Sequence, residues 1–238
     1  MSRLEGRRIV IAGGKGFFGS RWCRVLQHEG AEPIVWDLPG VDVTDRASGQ
    51  HAVHEAGEVH GLIYAVADDP KVGPQGLIRG GSLQDFDLDA FGRQMAVGVT
   101  GAVVCCQELE QELHRHGESS VVLVGSGNSI GAPFQPMYAE GQYKPLDYSI
   151  VKHGLLGVTR WLATYWTHPV IRVNLLVPGG VYQPTMEQGF VKRRSAQIPM
   201  KRMARLEEYD DAIVFLLSPR NTYMTGAALV VDGGKSCW

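Results

Sequence analysis

The chain has 238 residues, 44% of them hydrophobic and 20% charged, which suits one α/β unit of about 200–250 residues and not a disordered segment. Lys plus Arg number 23 and Asp plus Glu 25, a net charge of −2, which speaks against a nucleic-acid binder held by phosphate contacts. No run approaches about 18 consecutive apolar residues, so no membrane span is expected.

Met1 to Arg8 is charged and runs directly into Arg8 to Ala12, a β-branched apolar run of the kind that forms a buried parallel strand. No apolar signal segment is expected there. Glycines at 13, 14, 16 and 19 follow. Ser20 to Glu29 has Trp22, Val25 and Leu26 at helical spacing and Gly30 as its stop. Pro33 to Asp37 reads as a second strand and Gly40 to Val43 as a brief third. Asp45 can cap a helix reaching Ala56. Val59 to Ala67 is a fourth strand. Asp68 to Leu83, with three glycines besides Pro70, Pro74 and Gly80, is a loop.

A long helix is expected over Gln84 to His116, with a break around Gly98 to Gly101. Ser119 to Val124 is a fifth strand. Gly127 to Pro145 is an irregular insertion rich in Gly and Pro. Leu146 to Tyr165 is helical and Ile171 to Val177 a sixth strand. Gly179 to Ala204 is a long polar segment, Leu206 to Leu217 a helix and Ala227 to Val231 the last strand. Such alternation gives one doubly wound parallel sheet of about seven strands with helices on both faces, a single domain over residues 1–238. The ligand crevice then lies at the strand carboxyl ends.

Cys23, Cys105, Cys106 and Cys237 contain no Cys-x-x-Cys pair, so neither a disulfide framework nor a metal site is expected, and a reducing cytoplasm is the expected compartment.

Gly13-Gly14-Lys15-Gly16-Phe17-Phe18-Gly19 sits between the first strand and the first helix. Gly13 allows the tight turn, Gly16 lets a pyrophosphate approach the backbone, and Gly19 lets helix and strand pack closely. The helix amino end offers N–H groups to phosphates. Asp37, at the end of the second strand, can accept hydrogen bonds from ribose hydroxyls and repel a 2′-phosphate, which favours NAD over NADP. Lys15 pulls the other way, because a cation suits an extra phosphate. Asp42, with Val43 beside it, can reach an adenine; Asp42 or Asp45 can equally cap the next helix.

Tyr148 and Lys152 stand four apart on one face of a predicted helix. A phenol is a poor base at neutral pH, and a fixed ammonium favours its phenolate. The pair can exchange a proton with an alcohol or carbonyl oxygen. Ser126, just after the fifth strand, can orient that oxygen.

Together these residues resemble the short-chain dehydrogenase/reductase family. The resemblance runs from Ile9 to Gly234 and includes Arg172 to Gly180, Tyr223-Met224-Thr225-Gly226 and Val231-Asp232-Gly233-Gly234. It implies a Rossmann-type domain, a nicotinamide cofactor, a small-molecule substrate and a homo-oligomer, dimer or tetramer. It implies Tyr148 as acid/base, Lys152 as its partner and ribose ligand, and Ser126 as the oxygen-positioning group. Ala65 and Val66 fall in the family's motif after the fourth strand, and Pro178, Gly179 and Val181 match the stretch that meets the nicotinamide carboxamide. Gly180 to Ala204 matches the substrate loop.

Four departures stand out. The glycine spacing is Gly-x-x-Gly-x-x-Gly, as in the family's longer members. The usual Asn-Asn-Ala-Gly is Tyr64-Ala65-Val66-Ala67. Gly98 replaces a catalytic Asn, so a proton relay through that side chain is absent. Ser126 and Tyr148 stand 22 apart, where the resemblance leads one to expect about 12–13. The expected activity is alcohol–carbonyl interconversion with NAD(P), NAD preferred, on a small polar, sugar-like or cyclic substrate. Lys192, Arg193 and Arg194 would suit an anionic or polyhydroxylated one. The alternatives are a non-catalytic, regulatory nucleotide-binding protein and an epimerase-type use of the same chemistry.

Overall fold

The computed structural model describes residues 2–68, 72–73, 76–77, 82–168 and 170–237. Six parallel strands form one sheet: β1 (Arg8–Ala12), β2 (Glu32–Trp36), β3 (Gly61–Tyr64), β4 (Ser120–Val124), β5 (Arg172–Pro178) and β6 (Ala228–Val231). Their spatial order is β2-β1-β3-β4-β5-β6. The chain winds outward from β1 to β2, then returns to β3 on the other side of β1. That reversal opens a crevice at the carboxyl ends of β1 and β3.

Helices α1 (Gly19–His28), α2 (Arg46–Ala56), α3 (Leu88–Met95), α4 (Gly101–Arg115), α5 (Leu146–Tyr165), α6 (Gln188–Ala196) and α7 (Asp210–Leu217) cover the sheet or border its cleft. Strand side chains alternate between two apolar layers. Val10, Leu62, Val121 and Val173 face Leu109, Leu155 and Leu162 of α4 and α5. Ile9, Ile63, Val122 and Leu176 face Trp22, Leu26, Ile213 and Leu217 of α1 and α7. The period of two along each strand is what lets a buried β-branched run feed both layers. Each fully buried Leu or Ile contributes roughly 1.5–3 kcal/mol by leaving water. No helix among the described residues is long and apolar enough to cross a membrane.

Three expectations are corrected. The sheet has six strands, because 40–43 is not one: the Gly40 and Val41 N–H groups both donate to the Asp37 carbonyl, which winds the segment into a turn. The expected break near Gly98 is a widening instead. Ala96–Thr100 is a π-helical turn joining α3 to α4, helical backbone throughout. The polar stretch 179–204 holds the nine-residue helix α6. Much of the expected 68–83 loop lies outside the described residues.

Candidate active site

The glycine turn closes as its spacing requires. Gly13 adopts φ +81°, where a side chain is strained. A Cβ on Gly19 would collide with the Gly13 carbonyl and stand 2.7 Å from Gly14 Cα. The Gly16 N–H donates to Gly13 O at 3.0 Å, and no side chain caps the amino end of α1. A phosphate group fits the amino end of α1, where no side chain caps the first-turn N–H groups. Phe17 is exposed, whereas Phe18 turns inward to stack on Trp22 at 4.9 Å. Ala65, and with it Val66, passes beside the turn: the Ala65 N–H donates to Ala12 O at 2.9 Å, and its carbonyl carbon would lie 2.9 Å from a Cβ on Gly13.

Asp37 is built into the turn. Its carboxylate accepts the Lys15 N–H at 2.7 Å and the Leu38 N–H at 2.9 Å. Lys15 Nζ donates to Leu38 O at 3.1 Å. A carboxylate has about four acceptor positions, so these two bonds leave room for ribose hydroxyls. Asp42 accepts both the N–H and the hydroxyl of Thr44. The Thr44 hydroxyl, then its N–H, holds the Asp42 carboxyl below its ordinary range. Val43 is buried under Tyr64 and Gly101. Asp45, not Asp42, caps α2, accepting the Ala47 N–H at 3.0 Å.

Ser126 follows β4 in extended backbone. Its hydroxyl accepts the Asn128 N–H at 3.2 Å and its own N–H donates to Ser129 Oγ at 3.1 Å. This reciprocal box makes a single 3-10 turn, Gly127–Ser129, which packs against α5. Lys152 is buried on α5 and donates from Nζ to the Val124 carbonyl at 2.9 Å. Lys152 Nζ lies 5.7 Å from the Tyr148 ring centroid. The 22-residue separation therefore still brings the Ser126 turn, Tyr148 and Lys152 to one sheet edge. His153, which could have faced either way, is exposed, with Nδ1 against Ser149 O at 2.9 Å.

The departures from the family pattern are coupled in space. Tyr64 is fully buried and its hydroxyl donates to Val97 O in the π-helical turn. Burial pushes the Tyr64 phenol well above its ordinary range. Val151 fills the space beside Gly98: a Cβ there would collide with Val151 Cγ1 and lie 3.0 Å from Cγ2.

The insertion and the substrate loop form one body. Met137 packs with Phe190, Ile198 and Met203, and Tyr138 stacks on Phe190 at 5.8 Å. Arg193 Nε donates to Met137 O at 2.7 Å, and Arg194 reaches Met137 Sδ at 3.5 Å. Two of the three cations expected to line the cleft thus tie its walls together. Beneath them Pro178 ends β5, the Gly179 N–H donates to Val231 O at 2.9 Å, and Val181 bridges to Ala204.

One grouping escaped the sequence. Glu58, His60 and His116 bring ligand atoms within 4.8 Å of one another at the amino end of the sheet. They are poorly disposed for a metal. His60 Nδ1 already accepts the Arg8 N–H at 3.1 Å, which leaves the proton on Nε2. The two imidazoles stack at 4.3 Å with a 30° tilt, so their in-plane lone pairs run alongside each other instead of converging.

A family model described as enoyl-(acyl carrier protein) reductase matches residues 6–236. The chain belongs to the short-chain dehydrogenase/reductase family. It is 31% identical to trans-4-hydroxycyclohexanecarboxylate dehydrogenase of Sinomonas cyclohexanicum, over 98% of this chain and 94% of that one. Its fold matches an NAD+-bound short-chain dehydrogenase from Leptospira borgpetersenii with a TM-score of 0.86 at 21% identity, covering 98% and 94% of the two chains. It also matches a gluconate 5-dehydrogenase from Burkholderia cenocepacia, in complex with NADP and tartrate, with a TM-score of 0.83 at 20% identity, covering 99% and 97%. As a member of this family the chain is an oxidoreductase acting between CH–OH and C=O with a nicotinamide dinucleotide.

Proposed function

We propose that the chain is an NAD-preferring dehydrogenase of a small polar substrate, a ring alcohol or sugar-like polyol, with Tyr148 as its acid/base. The observation that carries this reading is the placement of Tyr148 and Lys152 on one face of α5, with Lys152 bonded to the end of β4 beside the Ser126 turn. The dinucleotide, when bound, supplies the hydride acceptor or donor.

In the oxidation direction a secondary alcohol loses a hydride from carbon and a proton from oxygen. The bound dinucleotide would supply the hydride acceptor, and the Tyr148 phenolate oxygen would take the proton, leaving a ketone. The Ser126 hydroxyl holds the reacting oxygen. Lys152 stabilises the Tyr148 phenolate and takes a ribose hydroxyl. Gly13, Gly16 and Gly19 admit the pyrophosphate, and the backbone of Lys15, Phe17 and Phe18 borders it. Asp37 receives the adenosine ribose, and its charge disfavours a 2′-phosphate. Asp42 and Val43 border the adenine. Ala65 and Val66 flank the dinucleotide, and Pro178, Gly179 and Val181 meet the nicotinamide.

In this reading residues 1–238 act as one dinucleotide-binding domain. The insertion 127–145 and the loop 180–204 shape its substrate cleft. The ring-alcohol class is supported by the name of the 31% identical relative. The chain works in the cytoplasm as a homo-oligomer, with α4 and α5 at the contact. The stacked, exposed pair Trp161 and Tyr165, 4.8 Å apart on α5, supports that face.

Titration with NADH and NADPH, followed by nicotinamide fluorescence, tests the cofactor reading. NADH should bind more tightly. The reverse order would make Lys15 the dominant group, and binding of neither would return the chain to the non-catalytic alternative.

A further inference from the structure

We propose that Lys144, delivered by the insertion, is a second cation of the acid/base site, lying against the Tyr148 ring and stabilising its phenolate together with Lys152. The sequence runs Lys144-x-x-x-Tyr148-x-x-x-Lys152, an ammonium four residues before the phenol and another four after. Only the second spacing is helical, because α5 begins at Leu146. Lys144 is placed by other means.

Gln135 clamps its backbone with both atoms of its amide. The Lys144 N–H donates to Gln135 Oε1 at 2.8 Å, and Gln135 Nε2 donates to Lys144 O at 3.4 Å. Pro145 follows with φ −56° and fixes the entry into α5. The result is Lys144 Nζ 3.6 Å from the Tyr148 ring centroid, against 5.7 Å for Lys152 Nζ.

A cation over an aromatic face is attracted by the ring's quadrupole. When the phenol ionises, negative charge spreads into the ring and the attraction grows, so the cation favours the ionised form. Lys152 is anchored to the Val124 carbonyl, and Lys144 is the ammonium nearer the ring.

Lys144 shares its cleft with the carboxylates Asp85, Asp87 and Asp147. The turn Ala96–Thr100, β4 and the turn Gly127–Ser129 pack against α5 and contain no charged residue. On α3, Asp89 and Arg93 follow the cap Asp87. Arg172 on β5 is bound to the Leu216 and Ser218 carbonyls. On α6, Arg193 and Arg194 are held to Met137, and Lys192 is exposed. Within the insertion Glu140 is exposed. Asp147, the carboxylate next to Tyr148 in the chain, is buried, and its Oδ1 accepts the Tyr148 N–H at 2.6 Å. Lys144 is therefore a positioning residue acting through Tyr148, and its catalytic meaning rests on the acid/base reading above.

The test reads the phenol directly. Protein labelled at tyrosine Cζ with carbon-13 is titrated by NMR, with Tyr148 assigned from the signal lost in Tyr148→Phe. In Lys144→Met the Tyr148 midpoint should rise by about one pH unit. Lys144→Arg should bring it most of the way back. Gln135→Leu, which releases the clamp and keeps the ammonium, should give a smaller rise and serves if Lys144→Met does not fold. An unchanged midpoint in whichever of these two variants folds overturns the proposal. Because the titration needs no turnover, a wild-type chain inactive on every substrate would count against the acid/base reading without touching the effect of Lys144 on the phenol.

Discussion

Val151 stands where a side chain at position 98 would have to begin: a Cβ on Gly98 would collide with Val151 Cγ1 and lie 3.0 Å from Cγ2. The missing relay residue and the bulk of Val151 are two halves of one packing solution. Gly98 lies in helical backbone, where Ala would ordinarily be about 1 kcal/mol better. Overpacking reverses that sign. Gly98→Ala should destabilise by roughly 1–3 kcal/mol, and adding Val151→Ala should recover much of the loss. Denaturant midpoints of the two single variants and the double variant measure the coupling. A stabilised Gly98→Ala would show that the site has room.

The glycine turn has no room for a side chain at its last glycine, where a Cβ would collide with the Gly13 carbonyl. Gly19→Ala should weaken NADH binding by at least about tenfold, since strain of roughly 1–3 kcal/mol must be relieved by moving the Gly13 carbonyl. Fluorescence titration reads this. Undiminished affinity in a folded variant would mean that the turn does not hold the pyrophosphate.

Asp37 braces the turn through the Lys15 N–H, and in the proposed reading it also selects the cofactor. Asp37→Ser should lower the preference for NADH over NADPH by about tenfold or more, the loss of one charge-assisted bond and one repulsion. NADH affinity should also fall outright, because the brace weakens. Dissociation constants for both nucleotides separate the two effects.

Glu29 ties the amino-terminal segment to α1. Hydrogen bonding from the Arg3 side chain holds its carboxyl at about 2 against an ordinary 4.5. A depressed folded value means stability that is present above about 4.5 and lost as pH falls toward about 2. Glu29→Gln should therefore be less stable than wild type at pH 6, and the gap should close below pH 3. Thermal midpoints across that range check it. A gap that widens in acid would reverse the assignment.

Much of the fold was legible because parallel strands buried on both faces are apolar runs and their connections carry glycine and caps. Asp45 and Gly30 marked real helix ends. Helix α6 was not legible. Its sequence has one buried residue, Phe190, so no apolar stripe forms, and it is held by the Glu187 cap and by packing on Met137. The segment 40–43 has alternating valines, but Asp42 turns its carboxylate onto Thr44 and ends any extended pairing. At the site, Tyr148 and Lys152 were readable from helical spacing. The place of Lys144 on the Tyr148 ring was not, because Lys144 lies before the helix and its backbone is held by Gln135, nine residues earlier. The filling of position 98 by Val151 is likewise a contact between helices that no local pattern records.

In the proposed reading Tyr148 moves the proton while the glycine turn and Asp37 hold the dinucleotide. The most direct measurement compares wild type and Tyr148→Phe for NADH binding and for NAD-dependent oxidation of a panel of ring alcohols and polyols. Nearly equal NADH affinity, with turnover in the phenylalanine variant lower by roughly 100- to 10,000-fold, is the predicted result. Equal turnover in the two proteins would contradict it.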